Sequence, residues 1–165
     1  SRIQEETKRL IDSLGVRTRF GVVQFIRRFE RYREALAPAT ESQKARAIRW
    51  VDEEFHTSGY SPGQWSRIED DDGQPVLDGI QAVLQTVFAW EPDVIFLLSD
   101  GGFGRNYPTR QPRIDLEELD EDLREWQRQL PNPARIHFIG FEVKEDRAAA
   151  IRRFVQRSGG KMRGF

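Results

Sequence analysis

The feature that constrains the fold most is the apolar run Val94-Ile95-Phe96-Leu97-Leu98, which ends at Ser99-Asp100-Gly101. A continuous run of this length, without polar alternation, is typical of a parallel strand that is buried on both faces. We therefore predict that Val94–Leu98 is a central strand of a parallel sheet. Asp100 then lies at the carboxyl end of that strand, where open α/β sheets bind their ligands.

Strand and helix patterns alternate along the rest of the chain. The patterns predict helices over Arg2–Leu14, from Thr40 through Ala45, Ile48, Val51 and Phe55, from Pro75 to Phe88, over Asp115–Leu130 and from Asp146 to Ser158. They predict strands over Phe20–Phe25, at a charged edge over Ile26–Arg33, over Ile136–Phe141 and over Met162–Phe165, with a long loop over His56–Gln74. We expect a single domain over residues 1–165, an α/β/α sandwich of three layers whose sheet is mostly parallel with an antiparallel edge strand.

Composition excludes several classes of function. Lysine and arginine number 26 against 27 aspartate and glutamate residues, so the net charge of −1 gives no support to nucleic-acid binding. An arginine cluster at Arg27, Arg28, Arg31 and Arg33 is better explained as a charged edge strand. The absence of cysteine excludes disulfides, thiolate zinc sites and a cysteine nucleophile. No apolar stretch is long enough to span a membrane.

Asp100 is the strongest candidate for a functional residue. A carboxylate in this position, followed by Gly101 and Gly102, can bind a hard divalent cation while the glycines let a ligand approach. The alternative is that Asp100 only caps the turn through local hydrogen bonds. His56 and His137 are the only histidines. We predict that His137, which lies within a strand, is a core histidine whose hydrogen bonds are satisfied. With no nucleophile and base pair apparent, we expect a protein without enzymatic activity, and a hydrolase acting at Asp100 is a minor alternative.

Several segments together resemble von Willebrand factor A domains of the bacterial type. The resemblance rests on Leu97-Leu98-Ser99-Asp100-Gly101 after the Pro92-Asp93 turn, Phe20-Gly21-Val22-Val23-Gln24-Phe25, Leu36-Ala37-Pro38-Ala39-Thr40, Ile136-His137-Phe138-Ile139-Gly140-Phe141, and Ser158-Gly159-Gly160 with Met162. The resemblance covers the chain in order and implies a Rossmann-like sheet.

That family implies a metal-ion-dependent adhesion site at the top of the sheet. In this chain the resemblance assigns Asp100 alone as ligand of Mg²⁺ or Mn²⁺. Asp72 or Asp71 could substitute chemically for the missing threonine as an additional ligand, whereas an acidic run on a loop is more often only solvated. Gly101, Gly102, Phe103 and Gln74 would form the rim that binds a protein partner through its carboxylate. The alternative is a scaffold domain with a degenerate site, which binds its partner without metal.

The chain departs from the family pattern in two ways. The first strand and its Asp-x-Ser-x-Ser loop are missing, and the expected threonine is replaced near Gly73 or Gln74. A missing central strand would expose apolar residues of Phe20–Phe25 and Val94–Leu98. We therefore expect a trimmed domain, or a domain whose missing strand another chain supplies. The resemblance also favours a location outside the cytoplasm, through a tether upstream of Ser1.

Overall fold

A computed structural model of the protein describes residues 1–25, 28–55, 64–65 and 67–164. The chain forms two compact units, Ser1–Ser66 and Arg67–Phe165, and both are mixtures of helices and short strands. A mixed α/β fold is therefore confirmed. The prediction of a single domain over residues 1–165 stays a prediction, and so does its three-layer arrangement.

The described residues of the first unit form two helices and five short strands. They are α1 (Arg2–Asp12), β1 (Arg19–Phe20), β2 (Val23–Phe25), β3 (Arg28–Arg31), β4 (Ala37–Pro38), α2 (Glu41–Glu54) and β5 (Gln64–Trp65). Both helices begin at a side-chain cap. Ser1 Oγ accepts from the Gln4 N–H at 3.4 Å, and Thr40 Oγ1 accepts from the Gln43 N–H at 3.2 Å. The expected N-cap at Thr40 is confirmed.

The core of the first unit forms where the two helices meet the small strands. Its buried members are Ile11, Phe20, Ala37, Ala39, Ala47 and Val51. The buried Lys44 of α2 donates to the backbone oxygens of Asp12 and Leu14, each at 3.1 Å, so it satisfies carbonyls that the end of α1 leaves unpaired. The predicted inward position of Ala45 is wrong, because Ala45 is exposed and Lys44 and Ala47 face the core instead.

Strand pairing in the first unit differs from the prediction. The segment expected as one buried strand, Phe20–Phe25, is split: β1 pairs antiparallel with β4, and β2 pairs antiparallel with β3. Gly21 lies at the interruption, and glycine weakens a strand interior because it contributes no side chain to the packing. The predicted edge strand is also wrong, because β3 lies between β2 and β5.

The second unit is built on a parallel sheet of three strands. Its elements are β6 (Arg67–Glu69), β7 (Pro75–Asp78), α3 (Ile80–Phe88), β8 (Val94–Ser99), α4 (Leu116–Gln129), β9 (Arg135–Gly140), α5 (Glu145–Arg157) and β10 (Met162–Gly164). The strand order is β10-β9-β8, with Val94 opposite Arg135 and Ser99 opposite Gly140. Crossover helices α4 and α5 connect these parallel strands, as the sequence predicts.

Helices of the second unit pack on the sheet and on each other. In α4 the expected inward residues Leu116, Leu119 and Leu123 are buried. Ile151 of α5 and Phe138 of β9 are both fully buried, and the rings of Phe88 and Trp126 join α3 to α4 with centroids 5.7 Å apart. The core therefore lies between β9 and the helices α4 and α5.

Two predictions for the second unit are wrong. Pro75 does not begin a helix; it begins β7, which pairs antiparallel with β6 across a turn at Asp70–Gln74. Asp70 Oδ1 accepts from the N–H groups of Asp72 and Gln74, each at 2.9 Å, and Gly73 has φ 74°, so the acidic run forms a hairpin turn. The strand β8 is not central among the described strands: it pairs with β9 alone, and Phe96 is 44% exposed. Residues 56–63 of the predicted loop, with His56, lie outside the described residues.

Candidate functional site

Asp100 follows directly after β8 and forms a compact turn with its two glycines. Its Oδ1 accepts from the Gly102 N–H at 2.8 Å, and Ser99 Oγ accepts from the Gly101 N–H at 3.1 Å. Gly101 has φ 76°, and a Cβ atom there would lie 2.8 Å from Ile151 Cδ1. Glycine is therefore required at position 101, and the turn leaves the Asp100 side chain exposed to solvent.

A buried guanidinium supports this turn from inside. Arg147 is 9% exposed; its Nε donates to the Gly101 oxygen at 3.1 Å and its Nη1 donates to the Ile114 oxygen at 2.7 Å. Burial, followed by the charge of Arg113, lowers the pKa of Arg147, whereas three aspartates that include Asp100 raise it. Arg147 therefore places a positive charge close to the turn at Asp100, and it links the start of the β8–α4 loop to the end of that loop.

The residues expected to complete a metal site with Asp100 lie in another turn. Asp72 and Gln74 belong to the hairpin turn between β6 and β7, where their N–H groups are bound to Asp70. No group of three or more histidine, aspartate or glutamate side chains that could hold an ion occurs in the described ranges. With one exposed carboxylate beside a guanidinium, the described residues do not fit a divalent-cation site.

Asp78 is the acidic residue that meets the loop after β8, and the sequence reasoning missed it. Its Oδ2 accepts from the N–H groups of Asn106 and Tyr107, at 2.5 and 3.1 Å, and its Oδ1 accepts from the Gly79 N–H at 2.8 Å. The approach is close, since a Cβ atom on Gly79 would lie 2.5 Å from the Gly104 oxygen. The Asp-Gly pair at 78–79 is the signal that could have found this turn.

Buried polar groups hold the remainder of the β8–α4 loop. Arg105 is 7% exposed, and its Nη1 donates to Gln81 Oε1 at 3.0 Å and to Glu118 Oε1 at 2.9 Å. Phe103, expected on the partner-binding rim, is 7% exposed, so its ring belongs to the interior. Gly101, also expected on the rim, is buried, whereas Gly102 is half-buried and Tyr107 is 37% exposed.

Among the described residues, no strand pairs with the outer edge of β8. At the two ends of the pair, Arg135 N–H donates to the Asp93 oxygen at 2.9 Å and Phe141 N–H donates to the Ser99 oxygen at 3.0 Å. Because the direction of backbone groups alternates along a strand, the odd-numbered residues of β8 face β9. The N–H and C=O groups of Val94, Phe96 and Leu98 therefore point away from β9, and no described strand pairs with them.

His137, predicted to be a satisfied core histidine, is half-buried, and its ring makes contacts within the sheet. It lies in β9, where its Nδ1 accepts from the Lys161 N–H at 3.0 Å and its ring stacks on Phe96 with centroids 5.1 Å apart. Burial, and then the charges of Arg135 and Lys161, lower the pKa of His137. The neutral imidazole is the form that accepts this hydrogen bond, so His137 holds the residue before β10 next to β9.

Comparisons with protein-family models and with curated proteins give no relative from which a function could be transferred. No protein-family model matches the chain, and no curated protein matches it significantly. Among the described residues, no helix has the length and apolar character to cross a membrane. Any function must therefore be argued from the geometry of the turn at Asp100, the loop after β8 and the outer edge of β8.

Proposed function

We propose that the chain is a non-enzymatic protein-interaction domain that pairs an extended apolar segment of its partner with the outer edge of β8. The observation that carries the proposal is the row of backbone groups at Val94, Phe96 and Leu98, which no described strand satisfies. An exposed strand edge is a template for another strand, and strand addition is a recurrent mode of peptide binding.

The side chains of β8 support this mode of binding. No charged residue and no proline interrupts Val94–Ser99, so this edge lacks the features by which proteins usually prevent unwanted strand pairing. The alternate residues Val94, Phe96 and Leu98 lie on the face opposite to the buried Ile95 and Leu97. An incoming strand with apolar residues at alternate positions would extend this face and cover the exposed ring of Phe96.

The resemblance to von Willebrand factor A domains agrees with this proposal. That resemblance implies a Rossmann-like sheet of three-layer architecture with one more strand beside β8. A partner strand added at the apolar edge of β8 would extend the sheet in the same direction.

Binding in this mode needs no metal ion. The backbone groups of β8 provide the hydrogen bonds, and the buried guanidinium of Arg147 already supplies a positive charge beneath the turn at Asp100. We therefore favour the scaffold alternative, in which the site at Asp100 is degenerate.

The proposal can be tested with a synthetic peptide of about eight residues that alternates threonine and valine, a generic strand former. Amide hydrogen exchange, followed by NMR, should show slower exchange at Val94, Phe96 and Leu98 when the peptide is added. The same peptide with N-methylation at every second residue cannot form the ladder and serves as the control ligand. The protection should persist in the presence of a chelator.

Two matched variants sharpen the test. Phe96→Lys places a charge on the edge and should abolish the protection, whereas Val76→Lys replaces another exposed apolar strand residue (49% exposed) and should preserve it. Equal protection by the methylated peptide, or loss of binding with the chelator, would contradict the proposal.

A second candidate function is metal-dependent adhesion at Asp100, and its exposed carboxylate beside two glycines favours it. In that case Mg²⁺ or Mn²⁺ would bind with ligands from outside the described residues or from the partner. Calorimetric titration with both ions decides between the candidates. Ion binding that Asp100→Ala abolishes would support adhesion, and no heat of binding would support the metal-free domain.

A further inference from the structure

A groove lies between α4 and α5, on the helical side of the sheet and apart from the β8 edge. Its volume is about 300 Å³. The floor consists of Leu123 from α4, Phe154 from α5 and Ile136 from β9 beneath them. These side chains give the bottom of the groove an apolar character, and the volume is at the low end of the range for small-molecule sites.

Three arginines lie along the rim of this groove. Arg124 and Arg128 come from α4 and Arg157 comes from α5. Asp120 accepts from two of them: Arg157 Nη1 donates to its Oδ2 at 2.6 Å, and Arg124 Nη2 donates to the same oxygen at 3.2 Å. Two guanidiniums therefore share one carboxylate, which is 13% exposed, and the rim retains an excess positive charge.

The third arginine is held only weakly. Arg128 pairs with Glu125 at 2.7 Å, but both side chains are more than half exposed, and exposed pairs of this kind contribute little. The guanidinium of Arg128 can therefore turn toward an anion in the groove.

The neutral polar groups of the groove are already engaged. Gln127 makes two hydrogen bonds of 2.7 Å to the backbone of Ala134, and Ser158 Oγ donates to the Val155 oxygen at 2.7 Å. Recognition of a ligand thus depends on the arginines, which bind carboxylates with two parallel hydrogen bonds.

We propose that this groove binds a small amphipathic carboxylate, with its apolar part on Leu123, Ile136 and Phe154 and its carboxylate between the rim arginines. The charge of the rim selects an anion, and the apolar floor selects a hydrocarbon chain or ring over a hydrated ion. This site is independent of the proposed strand binding at β8.

Octanoate is a suitable probe, with acetate and octanol as controls that lack the chain or the charge. Binding to the whole chain is followed by NMR chemical shifts and by calorimetry. We expect octanoate to shift the resonances of Leu123, Ile136 and Phe154 and to bind at least about tenfold more tightly than either control.

Charge variants of the rim distinguish recognition from a structural effect. Arg124→Gln should weaken octanoate binding by about tenfold, because one ionic hydrogen bond is lost. Arg152→Gln is the matched control: Arg152 is exposed on α5 and does not line the groove, so the affinity should not change. Asp120→Asn should strengthen binding, because two guanidiniums lose their shared carboxylate; a structural role alone would not produce tighter binding.

Three results would overturn the proposal. The first is no shift with millimolar octanoate while the chain is folded. The second is equal weakening by Arg124→Gln and Arg152→Gln. The third is binding of polyglutamate in the groove without binding of octanoate, which would mean that the face takes an acidic polypeptide.

Discussion

Replacing Gly79 with alanine tests the contact that joins β7 to the loop after β8. Gly79 has φ 66° and ψ −142°, and the new Cβ atom would lie 2.5 Å from the backbone oxygen of Gly104. The oxygen belongs to the backbone, so it cannot turn aside as a flexible side chain could. Gly79→Ala must therefore strain the local backbone and separate the two segments.

The structure gives the magnitude in two parts. Holding an alanine in a conformation reserved for glycine costs about 1–3 kcal/mol, and the steric overlap adds about 1–3 kcal/mol. We expect the free energy of unfolding to fall by about 4 kcal/mol, which lowers Tm by about 10 °C for a chain of this size. Circular dichroism during thermal and urea unfolding measures both quantities.

Gly73→Ala is the matched control in the same unit. Gly73 also has a positive φ of 74°, but a Cβ atom there would meet nothing within 4 Å. Only the conformational cost remains, so the expected loss is about 1–2 kcal/mol. If the two variants lost the same stability, the close approach of Gly79 to Gly104 would be refuted.

Three further predictions concern the pH, the Asp78 turn and the exposed edge. Because the pKa of His137 is lowered in the folded state, the unfolded state binds more protons near the ordinary histidine pKa of about 6.5. The free energy of unfolding should therefore fall as the pH drops below about 6.5. NMR titration should give His137 a pKa below that value, and a pKa of about 6.5 would contradict the prediction. Asp78→Ala removes three hydrogen bonds and should lower the free energy of unfolding, measured with urea, by about 2 kcal/mol. Asp71→Ala, in the hairpin turn, should lower it by less than about 0.5 kcal/mol. Equal losses for the two variants would exclude a special role for Asp78. Phe96→Lys should reduce the aggregation measured by light scattering, because it places a charge on the exposed edge of β8. Unchanged aggregation would mean that this edge does not promote association between molecules.

Periodicity alone predicted the elements of the second unit that a parallel sheet requires. The strands β8, β9 and β10 and the helices α4 and α5 follow local patterns of apolar residues, and their connections can only be crossovers. The N-cap at Thr40 was also predictable, because capping depends on neighbours within three residues.

The errors arose where distant contacts decide the structure. Proline suits both the first turn of a helix and the first residue of a strand, so Pro75 was ambiguous; the turn that begins at Asp70 decided for the strand. Lys44 is buried because it donates to carbonyls 30 and 32 residues away, which no local pattern shows. The apolar character of β8 predicted burial, but only the identity of its neighbouring strands determines whether Phe96 is covered.

The candidate site was predicted in part for the same reason. Asp100 was placed correctly at the end of a strand, since that position follows from the local sequence. Its neighbours were not, because Asp72 and Gln74 lie in a separate hairpin turn, whereas Asp78 and Arg147 are brought near the loop by the tertiary fold.

Native-state amide hydrogen exchange of the free chain tests the central claim most directly, because it reads each backbone group of β8 separately. The account predicts slow exchange at Ile95, Leu97 and Ser99, whose N–H groups face β9, and fast exchange at Val94, Phe96 and Leu98, whose N–H groups face outward. Uniformly slow exchange along all six residues would show that the edge is already paired, and the proposed binding of a partner strand at β8 would then be wrong.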